Sequence, residues 1–525
     1  MAKRKSQRAG AAWAVEMEVF RHLLESVAEE VGVILRTTAL SANIRERLDF
    51  SAAVIDGQGR MAAQASHIPV HLGSCHLTAQ EILRSVDLEP GDVVLLNDPF
   101  QGGTHLPDIT LFAPYFSDDG EIAFGVLTRA HHSDVGGGVP GSMGDFDEIY
   151  KEGIIIPPVR VVRCGNLDHD IVNFFLANVR TPDERRGDLM AQIAATTKGV
   201  QRIAELVGCY TLSRRVAAAD GLIERSSRQM RSEISQIPDG IYCAEDVLDA
   251  PGEHVIRVRV CVQGETLVVD FEGTDPHMDG SLNAHEAITT SVVFYVLRSL
   301  AREAIPTNSG CLSPVKIVIP PDTLVGAQRP RAVAGGNVET SQRIVDVLLR
   351  ALAEALPDRI PADSQGTMNN LSFGGQRDDG TCFTYFETLA GGAGAGPDRR
   401  GASGIHTHMT NTLNTPIEVL EATFPVRVSA YHLRAGSGGA GERPGGDGVV
   451  REIEALANLE ISLLTTRRES VPAGLAGGAS ALPGRNRLKS KGRWRDLPSS
   501  GSFPMSEGDR LRIETPGGGG HSPQS

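Results

Sequence analysis

Residues 91–111 read GDVVLLNDPFQGGTHLPDITL, and residues 122–138 read IAFGVLTRAHHSDVGGG. In each, a short apolar run (Val93–Leu96, Ile122–Thr128) empties into a polar, glycine-rich loop. That pattern predicts two strands whose ends share one edge of a sheet. Upstream, Val19, Leu23, Val27 and Val31 recur at four-residue spacing within 14–40, which predicts a helix burying one stripe. Phe50–Ile55 reads as a strand with Asp56-Gly57-Gln58-Gly59 as its hairpin turn, and a helix is expected from about Leu77 to Val86. Downstream, 173–223 is helical by pattern, and short alternating strands run from Asp239 to about Thr274. Helical character returns at 285–304 and 338–356, and beyond about 430 the chain is turn-dense with strands between.

The expected class is therefore mixed α/β (α+β): a large multi-domain chain with a β-rich insertion and a β-rich, glycine-rich C-terminal part. The expected boundaries are a basic N-terminal tail (1–13), an α/β domain carrying the candidate site (14–235) and a β-rich insertion (236–280). A second α/β domain (281–430), a β-rich region (431–512) and a flexible glycine-rich tail (513–525) follow.

Of the 525 residues, 51 are Lys or Arg and 65 are Asp or Glu, a net charge of −14. Nonspecific nucleic-acid and anionic-membrane binding both want the opposite balance. No apolar run reaches the ~18 residues of a membrane span, and Glu16 and Glu18 interrupt any signal-peptide core. The seven cysteines are odd in number and form no CxxC pair, a pattern that fits reduced thiols in the cytoplasm.

The densest chemistry lies in Asn97-Asp98-Pro99, His105-Leu106-Pro107-Asp108 and His131-His132-Ser133-Asp134. Imidazole and carboxylate together suit Zn²⁺, Mn²⁺ or Fe²⁺. His105 and Asp108, three apart in a loop, can turn to one point, and His131 or His132 from the next strand end would complete a set with open positions. Alternatively these residues cap turns, with the histidines bonded to backbone. His67, His71 and His76 form a second cluster, where Pro69 argues against a helix and the simpler reading is partly buried histidines near the same pocket. Nothing local activates Cys75 as a nucleophile. Asp49, at the start of a strand, either pairs with Arg45 or Arg47 or points into a site. There is no GxxxxGK[ST] and no GxSxG. The amides of Gly335-Gly336-Asn337 could hold an anion or simply form a turn.

Ten blocks in order resemble the hydantoinase B/oxoprolinase family, the B component of ATP-dependent N-methylhydantoinase-type enzymes. They include RERLDFSAAVID (45–56), HIPVHLGS (67–74), GDVVLLNDPFQGGTHLPDITL, RAHHSDVGG, EGIIIPPVRV (152–161), NVRTPDERRGDL (178–189) and AGGNVETSQRIVDVL (334–348). The resemblance runs from about residue 14 into the glycine-rich C-terminus. It implies that a partner ATPase subunit of hydantoinase A type phosphorylates a hydantoin, 5-oxoproline or related lactam, and that this chain hydrolyses the activated ring at a divalent metal, with ATP bound by the partner and not here. Acetone/acetophenone-type carboxylation, or a noncatalytic scaffold role toward the ATPase, are the alternatives. The resemblance further implies Asp49, His105, Asp108 and His131 as metal ligands, with zinc first among the metals. It casts Asp49, His132 and Asp134 in catalytic or ligand-orienting roles, with Asp98 a further orienting candidate.

Overall fold

Alternation along the strands decides how the layers stack. In the computed structural model, which describes residues 2–65, 67–71, 73–208 and 211–524 (side chains from Ala12 onward), seven strands form the first sheet. They are β1 (Phe50–Asp56), β2 (Met61–Gln64), β3 (Val93–Leu96), β4 (Asp108–Phe116), β5 (Ile122–His131), β6 (Val159–Arg163) and β7 (Asn166–Leu167). Their order is β2-β1-β5-β4-β3-β6-β7, antiparallel throughout. Successive side chains on a strand point to opposite faces. Ala53 and Ile55 accordingly enter one core, while Phe50, Ala52 and Val54 enter another. The second core is closed by the helices Ala2–Thr38, Pro182–Gly208 and Leu212–Ile234.

The first helix buries Phe20, Leu24, Val27, Val31 and Leu35, whereas Val19 is half exposed. This corrects the expected stripe, because a strict four-residue step overshoots the 3.6-residue turn and drifts off the buried face. The same helix begins at Ala2, so within the basic segment expected as a tail (1–13) the described residues 2–13 belong to it.

A second sheet holds β8 (Gly240–Val247), β9 (Val255–Gln263), β10 (Thr266–Asp270) and β11 (Val315–Val318), in the order β11-β10-β9-β8. β11 lies parallel to β10 and comes from beyond residue 280, so the β-rich unit does not close at the boundary expected from sequence. Helices Glu286–Leu300 and Ser341–Leu352 pack into the core between this sheet and the first one.

The C-terminal part is two packed sheets. One contains β12 (Asn370–Gln376), β13 (Cys382–Glu387), β16 (Leu459–Leu464) and β19 (Ser500–Met505). The other contains β14 (Val426–Leu433), β15 (Val449–Ala455), β17 (Arg485–Ser490), β18 (Arg493–Leu497) and β20 (Arg510–Glu514). Leu371, Phe373 and Tyr385 of the first meet Ile453, Leu488 and Ile513 of the second in one core. β12 and β13 precede residue 431 yet share a sheet with β16, so the division at 430/431 does not separate two sheets.

The run Gly517–Gly520, expected to be a flexible tail, is buried. Gly519 donates its amide to the Asp363 carbonyl at 2.8 Å and Gly520 to that of Ala479 at 2.9 Å. Composition misleads here because glycine permits both free chain and the closest backbone-on-backbone packing.

A candidate metal centre at the mouth of two strands

β4 and β5 pair in a register that sets Asp108 directly opposite His131. Cross-strand partners share a face, and this is the face that carries Leu127 and Phe112 into the first core. His105 joins them through a tight turn in which the Asp108 amide donates to the His105 carbonyl at 3.0 Å. His105 Nε2 lies 3.1 Å and His131 Nδ1 3.4 Å from Asp108 Oδ1, and one donor from each of the three residues falls within 4.8 Å of the others. All three are at most 2% exposed.

Donor atoms bound ~2.0–2.2 Å from one cation stand about 3–3.5 Å apart, so this spacing suits a shared divalent ion. Asp108 Oδ1 faces both imidazoles, while Oδ2 is engaged elsewhere. It accepts from Thr104 Oγ1 at 2.5 Å and lies 3.1 Å from His71 Nε2, whose Nδ1 meets Ser51 Oγ at 2.9 Å. Burial pushes the Asp108 carboxyl up, but the charges of His105 and His71 and the imidazole hydrogen bonds win, holding it well below the carboxylate range. Burial holds the His131 imidazole down against the pull of Asp108, which favours the neutral form that binds metals. Phe386 stacks on His131 at 4.5 Å between centroids, and the Arg47 guanidinium lies 4.9 Å above Phe386.

Asp49 lines the same cavity, 3.6 Å from Arg47, so both expectations for it hold together: it pairs with an arginine and it faces the site. It is not one of the three clustered donors. The cavity is about 20 Å³, with Ile68, Val70, Val338, Met368 and Met409 as its apolar wall.

Three expected residues lie elsewhere. His132 follows His131 on the opposite face, where Nε2 meets Gln192 Oε1 at 3.3 Å and burial with the nearby Arg185 holds its pKa at about 4. It cannot share a catalytic role with His131. Asp134 is spent on Arg180, accepting from its backbone amide at 2.7 Å and from Nη1 at 2.9 Å. Asp98 caps the turn Pro99–Gln101, accepting from the Phe100 amide at 3.1 Å, and pairs with Arg329. Neither carboxylate touches a site histidine.

Of the second histidine cluster, His67 accepts the Ala52 amide at 3.0 Å and is held at about 4 by burial. His76 is likewise held at about 4 by burial. Only His71, on the turn Pro69–His71, reaches the centre. The Cys75 thiol donates to the His71 carbonyl at 3.2 Å and is pushed up by burial, so it is no nucleophile. The six described cysteines are unpaired; Cys209 lies outside the described residues.

Asn337 also lines the cavity, and the loop ahead of it is held by Glu152. That carboxylate is fully buried and accepts the Val333 and Ala334 amides at 3.0 and 2.8 Å. Burial raises Glu152 to about 8 from an ordinary 4.5. Because the folded state keeps the proton that the unfolded chain releases, this group's contribution is fully present below pH 4.5 and lost as pH rises toward 8. We expect the wild-type unfolding free energy to fall between pH 5 and 8 more steeply than that of Glu152→Gln, by up to a few kcal/mol at about 1.4 per pH unit, with Tm falling alongside. Parallel Tm–pH curves would refute the assignment.

The chain matches the family model Hydantoinase B/oxoprolinase over residues 14–524. It belongs to that family. A 5-oxoprolinase of Dictyostelium discoideum is 38% identical over 517 residues, covering 96% of this chain and 40% of the relative. A protein from a Pseudomonas sp., named as the B component of a D-/L-hydantoinase, is 30% identical over 535 residues, covering 97% of this chain and 89% of the relative. The crystal structure of an ATP-dependent caprolactamase from Pseudomonas jessenii superposes with a TM-score of 0.90 at 27% identity, covering 97% and 91% of the two chains. This member of the hydantoinase B/oxoprolinase family thus spans two fifths of the 5-oxoprolinase and nearly all of the hydantoinase component. Among its described residues, no helix is long and apolar enough to cross a membrane.

Proposed function

We propose that this chain is the metal-dependent subunit of an ATP-dependent cyclic amide hydrolase. It opens the ring of a hydantoin, 5-oxoproline or related lactam after a separate hydantoinase A-type ATPase subunit has phosphorylated the ring amide. The observation that carries the reading is the buried His105–Asp108–His131 set, with its donors turned to one point. The relatives support the division of labour: the chain matches a hydantoinase B component along most of its length, and only part of a 5-oxoprolinase. Its sequence holds no phosphate-binding P-loop of its own. Six free cysteines among the described residues agree with a cytoplasmic setting.

His105, Asp108 and His131 would hold the ion, zinc before manganese or iron, and it would supply Lewis acidity that lowers the pKa of water. His71 and Thr104 fix the Asp108 carboxylate so that Oδ1 stays turned toward the imidazoles. Asp49 takes the position of a general base or further ligand, its charge balanced by Arg47. The apolar wall excludes bulk water and strengthens each electrostatic contact. A cavity of about 20 Å³ has room for one water, so a lactam enters only when the 67–71 and 406–412 walls part. These walls are joined by the Val70 amide on the Met409 carbonyl at 3.2 Å.

Elemental analysis of the wild type beside His105→Ala tests this first. We expect near-stoichiometric metal in the wild type and little in the variant. Addition of ATP and the ATPase subunit should then open 5-oxoproline, hydantoin or caprolactam in a chelator-sensitive way. A wild type without metal after reconstitution, or ring opening indifferent to chelation, would overturn the proposal.

A further inference from the structure

We propose that Ser51 is a positioning residue for the metal centre: it holds the His71 imidazole with its hydrogen on Nε2, so that His71 supports Asp108 instead of binding the ion itself. This rests on the metal-centre reading above.

The sheet sets the side chains in rows. β1 lies beside β5 and β5 beside β4, with Ser51 opposite Arg129 and Arg129 opposite Thr110. Residues two apart on a strand share a face, so Ser51, Arg129 and Thr110 form the row directly beneath His131 and Asp108. All three are at most 6% exposed. A polar row this deep has to find its partners inside the protein. Arg129 donates from Nε to Thr110 Oγ1 at 2.8 Å and from Nη1 to Ser74 Oγ, and Ser74 Oγ donates in turn to the His71 carbonyl at 3.0 Å. That line fixes the backbone of His71. Ser51 takes no part in it: among the described residues its Oγ is bonded to His71 Nδ1 alone, at 2.9 Å.

The place of the ring hydrogen follows from the two contacts of the imidazole. Ser51 has one hydroxyl hydrogen and one bonded acceptor for it, so Ser51 donates and Nδ1 is the bare nitrogen. The ring hydrogen then sits on Nε2, 3.1 Å from Asp108 Oδ2, a carboxylate oxygen that can only accept.

The opposite tautomer would set two lone pairs against each other across that 3.1 Å gap. It would also turn Nε2 into a further imidazole donor beside the carboxylate, competing with His105 and His131 for the ion. Which ring nitrogen of a histidine is open to a metal is set by the hydrogen bond that the other nitrogen makes. The Ser51 hydroxyl is therefore what keeps His71 a support and leaves Asp108 Oδ1 turned to the ion.

The test uses the full chain with Co²⁺ as the probe, its affinity measured against a competing chelator and its ligand field read from the visible absorption. We expect Ser51→Ala to weaken Co²⁺ binding by about tenfold or more. The visible bands should shift as well, because an imidazole nitrogen is freed toward the ion. Ser51→Thr keeps the hydroxyl and should restore both affinity and bands. Ser51→Val, with the shape of threonine and no hydroxyl, takes the place of the alanine variant if that one does not fold. His71→Gln separates positioning from packing. Glutamine offers Asp108 a side-chain N–H with no tautomer to hold, so adding Ser51→Ala in that background should cost almost nothing further. Wild-type affinity and bands in Ser51→Ala or Ser51→Val overturn the proposal while leaving the metal centre intact. An equal loss on adding Ser51→Ala to the wild type and to His71→Gln also overturns it, since Ser51 would then act by packing alone. A wild type that binds no Co²⁺ overturns the metal-centre reading and this inference together.

Discussion

Asp108→Asn is expected to strip the protein of its metal and to lower kcat/KM by on the order of 10³-fold or more, about 4 kcal/mol of transition-state stabilisation. The substitution keeps the shape of the side chain and removes only its charge. Asp108 Oδ1 stands between His105 Nε2 and His131 Nδ1, and Oδ2 takes the Thr104 hydroxyl and faces His71. A neutral amide would turn its nitrogen toward one of these pairs and lose either the ligand or its support. Because Asp108 is fully buried among three imidazoles rather than in an arginine pair, Tm should move by no more than a few degrees. Elemental analysis and turnover measured on one preparation decide the matter. Stoichiometric metal with full activity would eliminate the proposed centre.

Gly518→Ala is the substitution expected to damage the fold most. A Cβ at this position would sit 2.0 Å from the Ala393 carbonyl oxygen and 2.2 Å from its carbon, both backbone atoms that have no rotamer with which to retreat. The Gly518 amide donates to the Gly446 carbonyl and its own carbonyl accepts from Gly439, each at 2.9 Å. Moving the segment aside would break these bonds and leave buried amides unpaired, at about 1–3 kcal/mol each on top of the steric term. A loss of about 3 kcal/mol or more should appear as a Tm drop of several degrees or as insoluble protein. Gly208→Ala, at the end of a helix with nothing among the described residues within 4 Å of where the Cβ would go, serves as the control and should be nearly neutral. Equal melting curves for the two variants would contradict the packing described.

Much of this is legible in the sequence. The apolar runs at 93–96 and 122–128 are strands, and the three-residue spacing of His105 and Asp108 does become one turn. The choice between His131 and His132 is not readable there. β5 is buried on both faces, so no polar alternation marks which parity faces the site. The true partners of Asp134 and Asp98 lie 46 and 231 residues away, beyond any local pattern. Pro69 argues for a loop or extended segment, yet Pro69–His71 forms a short 3₁₀ turn that proline can open, and the meeting of His71 with Asp108 depends on strands pairing across the sheet. The glycine run at 517–520 misleads for a different reason: its partners are backbone, which leaves no side-chain signature to read.

The place of β20 in its sheet has a consequence for how the molecule is made. Arg510–Glu514 is the last strand in chain order among the described residues, yet it lies centrally, between β15 and β17. The glycines that follow it bridge the segments around 363, 393, 446 and 479. The strands of the N-terminal sheet are all complete by residue 167, and the helices that cover its two faces extend to Leu352. The core of the two C-terminal sheets takes in Leu511 and Ile513 of β20, and β20 also fills the free edge of β15. Pairings of such long sequence separation form slowly. Until β20 is in place, β15 presents an unpaired and adhesive strand edge.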